Sequence, residues 1–287
     1  MVKRLSYIIY KIISFIDFLF KKITKRSFLI WFKEFIEEDS YQTINILDEK
    51  VTFFIPNQIT QWRVETFFTT EPETLEWIDS FNDNKKIIFW DVGANIGLYS
   101  IYAALKYSDI EIISFEPSTS NLRILSRNIS INKLEEKIKI SQLPLTKDQN
   151  QYLMFEESEF IEGWAMNTFG EGIDFEGKSM QPKNRYKIFG TNINYLIENN
   201  ILSIPNYIKI DVDGIEHLIL EGASDHLDNS EIRSMSIELN ENFKDQVNSV
   251  LKIMDKSNFR FKNKKNASMF DNSKFSKIFN YIFEKQK

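Results

Sequence analysis

The stretch that decides the fold is IIFWDVGANIGLYS, residues 87–100. An apolar run typical of a strand ends on the acid Asp91, and two glycines, Gly93 and Gly97, follow before a helical pattern begins. Glycines after a first strand let the backbone approach a ligand closely, and the N-terminus of the next helix attracts negative charge. The stretch therefore predicts a ligand-binding turn between a strand and a helix.

Strands and helices alternate from this turn onward. The apolar patterns predict strands at 87–91, 110–115, 137–142, 207–212 and 233–239, and helices at 97–106, 119–130, 192–199, 215–222 and 243–256. Such alternation predicts an α/β fold with a mainly parallel sheet and helices on both faces. Upstream, residues 43–56 predict two short strands around the Asp48-Glu49 turn, and Thr70 is the predicted N-cap of a helix with Pro72 in its first turn.

Two ligand classes fit the turn poorly. A nucleoside triphosphate needs the lysine and hydroxyl of a Walker loop, and neither occurs here. A dinucleotide needs glycines at the first, third and sixth positions, but Asn95 stands at the third and Gly97 comes too early. Asp91 would also repel a pyrophosphate.

A nucleoside that carries positive charge fits the turn better. S-adenosylmethionine has a sulfonium and an ammonium, so an acid at the strand end attracts it. Glu116 ends the second strand about 20 residues beyond the turn, where an acidic side chain accepts hydrogen bonds from ribose hydroxyls. The alternative roles are a helix cap for Asp91 and an exposed loop acid for Glu116. The spacing of the pair favours S-adenosylmethionine as the cofactor.

At this point the sequence resembles the FkbM-type methyltransferases, which are class I S-adenosylmethionine enzymes. The resemblance rests on four blocks within residues 62–223 and on SMSIELNEN, which extends it to about residue 242. The four blocks are RVETFFTTEPETLEWIDSF, FWDVGANIGLYSIYAA, SFEPSTSNLRILSRNISIN and PNYIKIDVDGIEHLILEGA. The resemblance implies a Rossmann-like class I methyltransferase sheet. It also implies a cofactor loop and ribose-binding acid made by Asp91, Gly93, Asn95, Gly97 and Glu116.

The fourth strand brings several ionisable groups to the carboxyl edge of the sheet, in KIDVDGIEH. Methyl transfer to a hydroxyl needs a group that removes the acceptor proton, and His217 is the best base by intrinsic pKa. Asp213 and Glu216 are predicted to orient the acceptor or the base, and Asp211 to face the positive groups of the cofactor. The sequence predicts no metal centre, although a divalent ion among Asp211, Asp213 and Glu238 stays open, as does a structural role for His217.

Composition narrows the class of partner. The net charge of −5 argues against a general nucleic-acid binder, which would carry a basic surface. The chain has no cysteine, which fits a reducing compartment, so we expect a cytoplasmic protein.

The N-terminal segment, residues 1–40, predicts a basic amphipathic helix over residues 1–26. Lys11 and Asp17 interrupt its apolar run, which is therefore too short to span a bilayer. No signal-peptide cleavage site follows the run. Such a helix binds a membrane surface peripherally, here the inner membrane face, or packs on protein. Both readings stay open, as does a homo-oligomer.

The remaining residues, 41–287, predict one methyltransferase domain with an inserted hairpin or lid at about 150–190. Because the insert precedes the fourth strand of the sheet, we expect it above the carboxyl edge. Trp164, between Gly163 and Ala165, is the ring predicted to contact the acceptor. The alternative is that the aromatic rings of the insert only seal the lid onto the sheet.

The sequence as a whole predicts an O-methyltransferase that uses S-adenosylmethionine. Its expected acceptor is a small molecule or a glycan. The group expected to be methylated is a sugar hydroxyl in a bacterial surface glycan or lipid-linked glycan. The alternatives are a catalytically silent module that binds a membrane partner and a nucleotide-sugar-modifying enzyme.

Overall fold

A computed structural model describes residues 1–286 of the chain. The chain forms two compact units, Met1–Gln42 and Thr43–Lys287. The first unit holds helices α1 (Val2–Thr24) and α2 (Leu29–Glu38). Among the described residues, no helix is both long enough and apolar enough to cross a bilayer.

The larger unit is built on a seven-stranded sheet with the order β11-β12-β10-β9-β3-β4-β5. Five of these strands, β3, β4, β5, β9 and β10, run parallel, and β12 pairs antiparallel with both β10 and β11. The strands are β3 (Ile87–Val92), β4 (Ile110–Phe115), β5 (Ile138–Ser141), β9 (Tyr207–Ile210), β10 (Ser234–Asn240), β11 (Phe259–Lys265) and β12 (Ile278–Lys285).

Helices cover both faces of this sheet. They are α3 (Gln58–Glu65), α4 (Phe67–Thr70), α5 (Pro72–Asp79), α6 (Leu98–Lys106), α7 (Thr119–Ile131), α8 (Ile193–Glu198), α9 (Glu216–Glu221) and α10 (Lys244–Lys256). One hydrophobic core lies under α5, α6 and α7, and a second lies under α8, α9 and α10. This arrangement confirms the predicted α/β fold, a Rossmann-like class I methyltransferase sheet that is mainly parallel.

Two local predictions were wrong. Glu71, and not Thr70, precedes α5 as its N-cap residue, because Thr70 is taken into the short helix α4. The turn of the first hairpin, between β1 (Tyr41–Ile46) and β2 (Glu49–Phe54), lies at Leu47 and Asp48, which both adopt positive φ. Two positive φ values are what a two-residue hairpin turn needs to match the strand twist.

The two C-terminal strands were not predicted. In β11 nearly every residue after Phe259 is at least partly exposed, so the strand lacks the apolar run that marks the five parallel strands. β12 carries the apolar residues, and it enters the sheet between β10 and β11.

The predicted insert forms a separate three-stranded antiparallel sheet of order β7-β6-β8. Its strands are β6 (Gln151–Glu157), β7 (Asn167–Phe169) and β8 (Asn184–Gly190). The segment between β6 and β7 contains Trp164 and reaches the carboxyl edge of the main sheet, where it lines a pocket.

Candidate functional site

A pocket of about 320 Å³ opens at the carboxyl ends of the parallel strands. It lies at the switch point of the sheet, where β3 is flanked by β4 on one side and by β9 on the other. In open α/β sheets this is where ligands bind. Its walls come from the loop after β3, the ends of β4, β9 and β10, the region from α3 to α5, and the insert.

The glycine turn forms one wall of the pocket. Gly93 has φ +91°, and a Cβ on it would lie 1.8 Å from the backbone oxygen of Asp211, so this position requires glycine. The amides of Gly93 and Ala94 both donate to the Phe115 carbonyl oxygen at 3.0 Å. The loop is therefore fixed between the ends of β4 and β9, with Gly97 leading into α6.

Glu116 lines the same wall and is 4% exposed. Its Oε2 accepts the Asn95 amide and its Oε1 accepts the Ser118 amide, both at 2.8 Å. Burial raises the pKa of Glu116 to about 8, although these amides act in the opposite direction. Glu116 thus connects the cofactor loop predicted from sequence to the start of α7, with oxygen lone pairs still available to a ligand.

Asp91 lies behind the loop rather than on the pocket wall. Its side chain is 0% exposed, and its Oδ2 accepts the Ser100 hydroxyl at 2.6 Å. Its Oδ1 has no hydrogen-bond partner among residues 1–286, and burial raises the pKa of this carboxyl. Asp91 does not line the pocket, so any effect on a ligand would act through the loop or through its charge.

Of the three catalytic candidates, the structure places only Asp213 on the pocket wall. Asp213 has φ +64°, and its Oδ2 accepts the Met166 amide at 2.5 Å. Burial, helped by the nearby charge of Asp211, raises its pKa to about 6. Asp211, two residues before Asp213, also lines the pocket.

Glu216 and His217 lie outside the pocket lining. Glu216 is buried, and its carboxylate accepts the amides of Val212 and Gly214 and the side-chain amide of Gln246. It therefore holds the strand-to-helix turn that presents Asp213. His217 packs edge-on against Phe243, with ring centroids 6.0 Å apart, and burial lowers its pKa.

Lys209 is a residue of the pocket that was not predicted from the sequence. It is 1% exposed in β9, and its ammonium lies 2.5 Å from Asp211 Oδ2 and 3.8 Å from Glu71 Oε2. Parallel pairing puts it directly beside Asp91 of β3. Burial alone would lower the pKa of Lys209, but the surrounding carboxylates hold it above its usual value. The signal was available, since a lysine inside a strand buried on both faces needs partners.

The carboxylates around Lys209 form one cluster. Single oxygens of Glu71, Asp211 and Glu238 lie within 4.8 Å of one another, a spacing that could hold a metal ion. The sequence left open a divalent ion among Asp211, Asp213 and Glu238. In the structure, Glu71 rather than Asp213 lies close enough to share an ion with the other two acids. The Lys209 ammonium already supplies positive charge to this group at hydrogen-bond distance.

The insert is bonded to the glycine loop through backbone oxygens. The Trp164 carbonyl accepts the side-chain amides of Asn95 and Asn121 at 3.1 and 3.2 Å, and the Gly163 carbonyl accepts Arg63 Nε at 2.5 Å. Trp164 lines the pocket, and its indole donates to Ser158 Oγ at 2.8 Å. The structure therefore brings Trp164 and the glycine loop into one site.

Removal of the Lys209 charge should destabilise the protein. We expect Lys209→Met to lower the free energy of unfolding by about 3–5 kcal/mol at pH 7.5, because buried carboxylates lose their cation. The loss should shrink as the pH falls, because burial raises the pKa of Glu71 and Asp91 and their protonation removes the charge that Lys209 balances. The measurement is urea unfolding, with Lys139→Met as control. Lys139 pairs with Glu111 at the surface, and its loss should cost under about 1 kcal/mol. Equal costs for the two variants would contradict the role given to Lys209.

Comparisons with known proteins identify the family. The sequence model described as "Methyltransferase FkbM domain" matches residues 91–261, which is more than half of the chain. A curated relative, Methyltransferase sdnD of Sordaria araneosa, is 41% identical over 56 residues, or 20% of this chain. The match spans only 22% of that protein.

Solved structures give only distant matches. An rRNA methylase from Streptococcus thermophilus is 13% identical, with a TM-score of 0.45, over 75% of this chain and 95% of that one. TrmK of M. capricolum, solved with S-adenosyl-homocysteine, is 13% identical, with a TM-score of 0.44, over 74% of this chain and 68% of that one. The fold assignment rests on the strand order of this chain itself. By the match over residues 91–261, the chain belongs to the FkbM methyltransferase family.

Proposed function

We propose that the protein is an S-adenosylmethionine-dependent O-methyltransferase whose acceptor is a hydroxyl of a sugar. The observation that carries the proposal is that Glu116, Asp211 and Asp213 line one pocket together with the glycine loop. The sugar, as part of a surface or lipid-linked glycan, comes from the family resemblance and from the aromatic lining, and not from a sequence motif.

The loop and Glu116 would hold the cofactor. The chain after β3 passes along the pocket without a side chain at Gly93, and Asn95 Oδ1 is buried there without a partner among the described residues. Glu116 would accept ribose hydroxyls through its remaining lone pairs. When bound, S-adenosylmethionine would supply an electrophilic methyl group next to a positive sulfur.

The charge of the pocket suits a cationic cofactor and a neutral acceptor. Six acidic side chains line it against two basic ones. The acids are Glu71, Glu73, Glu116, Asp211, Asp213 and Glu238, and the bases are Arg63 and Lys209. Like charges in a partly desolvated pocket repel strongly, so a phosphate or a nucleic-acid backbone would be a poor acceptor there.

Asp213 is the base that the geometry favours. It lies on the pocket wall, where the amides of Met166 and Asn167 donate to its carboxylate and leave lone pairs for an acceptor hydroxyl. With a pKa of about 6 it is ionised at neutral pH yet more basic than an ordinary aspartate. Asp211, held by Lys209, would orient a second hydroxyl.

Trp164 would supply the apolar face of the acceptor site. Trp164 lines the pocket, and its indole is fixed by Ser158. Aromatic faces pack against the C–H groups of a pyranose, while carboxylates such as Asp211 and Asp213 accept its hydroxyls. A neutral sugar uses both kinds of group.

Cofactor binding should depend on Glu116. We expect Glu116→Ala to weaken the binding of S-adenosylhomocysteine about 10- to 100-fold, or roughly 1.4–2.7 kcal/mol, because the hydrogen bonds between this carboxyl and the ribose hydroxyls are lost. Calorimetry measures this directly. Glu111→Ala is the matched control, since Glu111 lies in β4 but pairs with surface lysines away from the pocket. Unchanged affinity in Glu116→Ala would remove the ribose role of Glu116.

The pH dependence should report Asp213. A base must be deprotonated, so we expect kcat/KM to rise with pH through about 6 and to fall as Asp213 is protonated below it. Asp213→Asn should lower kcat roughly 10²- to 10⁴-fold and abolish this limb. The assay is the transfer of labelled methyl groups from S-adenosylmethionine to a panel of free and nucleotide-linked sugars.

The comparison variant is His217→Ala, which tests the base predicted from sequence. Because His217 lies outside the pocket lining, we expect this variant to keep the wild-type pH profile. If the fall of kcat/KM below about pH 6 disappears in His217→Ala but not in Asp213→Asn, the base is His217.

Acceptor binding should depend on Trp164. We expect Trp164→Ala to raise the acceptor KM about tenfold or more, or to abolish turnover, while the affinity for S-adenosylhomocysteine stays within a few-fold. Phe160→Ala is the control, because Phe160 is an exposed ring of the same insert and does not line the pocket. If Trp164→Ala instead unfolds the protein, as seen by circular dichroism, the ring is a structural residue of the lid.

A further inference from the structure

Helix α1 has a continuous apolar face that its own unit leaves largely exposed, although Phe20 at one end of it packs on Phe28. At 3.6 residues per turn, eight large apolar side chains fall on one side of the helix, and each of these eight is at least 41% exposed. They are Leu5, Ile8, Ile9, Ile12, Phe15, Ile16, Leu19 and Phe20. Contiguous exposed apolar surface of this kind marks a binding face.

The opposite face of α1 is basic. It carries Lys3, Arg4, Lys11, Lys21 and Lys22. Phe18 lies among these residues, with the Lys22 ammonium 4.5 Å from its ring centroid. Lysines that flank an apolar helical face can reach lipid headgroups while the apolar face enters the acyl boundary.

The one acid of α1 is used inside the unit. Asp17 accepts the Ser27 hydroxyl at 2.8 Å and the amides of Phe28 and Leu29 at 2.7 and 3.1 Å, so it satisfies the start of α2. It is the only buried residue of α1. Its carboxylate therefore does not interrupt the exposed apolar face.

Charge is divided unevenly along the chain. Residues 1–26 contain seven basic residues and one acid, a net charge of +6. The whole chain carries −5, so residues 27–287 carry −11. A positive segment on a negative protein indicates an anionic partner for that segment.

We propose that α1 lies flat in the interface of an anionic lipid bilayer, with its apolar face toward the acyl chains and its basic residues at the headgroups. The alternative occupant of the apolar face is α1 of a second copy. That arrangement would bring two segments of charge +6 together, which opposes it, whereas an anionic bilayer attracts the same charge. The proposal does not depend on methyl transfer.

The test is co-sedimentation of the full-length protein with vesicles. We expect binding to vesicles of phosphatidylcholine with 30–40% phosphatidylglycerol, about tenfold or more weaker binding to pure phosphatidylcholine, and release by 0.5 M salt, these being order-of-magnitude expectations for a charge of +6. Binding to neither composition, or equally to both, would overturn the proposal.

Matched variants test the face that enters the lipid. Ile16 and Phe18 are 51% and 52% exposed and lie on opposite faces of α1. Both Ile16→Asp and Phe18→Asp add one negative charge, so electrostatics alone would weaken binding equally. We expect Ile16→Asp to reduce vesicle binding at least about tenfold more than Phe18→Asp, because only Ile16 lies on the apolar face.

Light scattering without lipid tests whether the apolar face of α1 binds a second copy of the chain instead. The proposal predicts that neither variant changes the molar mass of the full-length protein in solution. A wild-type dimer that Ile16→Asp converts to a monomer, with vesicle binding equal in both variants, would show that the apolar face binds a second copy.

Discussion

The geometry of the pocket depends on how the charge of Lys209 is balanced inside the sheet. An ion buried at this depth without partners would cost several kcal/mol, so its neighbours are constrained as strongly as it is. Asp211 meets the ammonium from the same strand, and Glu71 meets it from the start of α5. Asp211 and Glu71 are thereby held by an interaction that also holds β9 against its surroundings.

The two acids predicted first, Asp91 and Glu116, differ in what they contact. Asp91 lies beside Lys209 in the sheet and binds Ser100, so its contacts are those of the fold. Glu116 binds the amide of Asn95 and lines the pocket. Asp91 is one residue inside the end of β3 and Glu116 one residue beyond the end of β4, which is enough to place one in the core and the other at the ligand.

The periodic part of the fold could be predicted from sequence because burial on both faces gives parallel strands long apolar runs, as in residues 87–92 and 110–115. The strand over 259–265 could not be predicted from sequence, because an exposed edge strand has no long apolar run. In the site, spacing located Asp213 at the carboxyl edge but could not separate it from Glu216. Which of these two side chains faces the pocket is set by the positive φ of Asp213 and by Gln246, 30 residues downstream of Glu216.

The acids of the pocket also bear on how a cation would bind. Burial raises the pKa of Asp213 to about 6 and that of Glu238 well above its ordinary value, because it disfavours the charged form of both carboxyls. A positive ligand favours their ionised forms, and some of its attraction is therefore used to displace protons. Lys209 limits this cost, because it keeps Asp211 paired with a cation before any ligand arrives. Because Lys209 is paired with Asp211, the attraction for a second positive charge falls to the other acids of the pocket, among them Glu116 and Asp213.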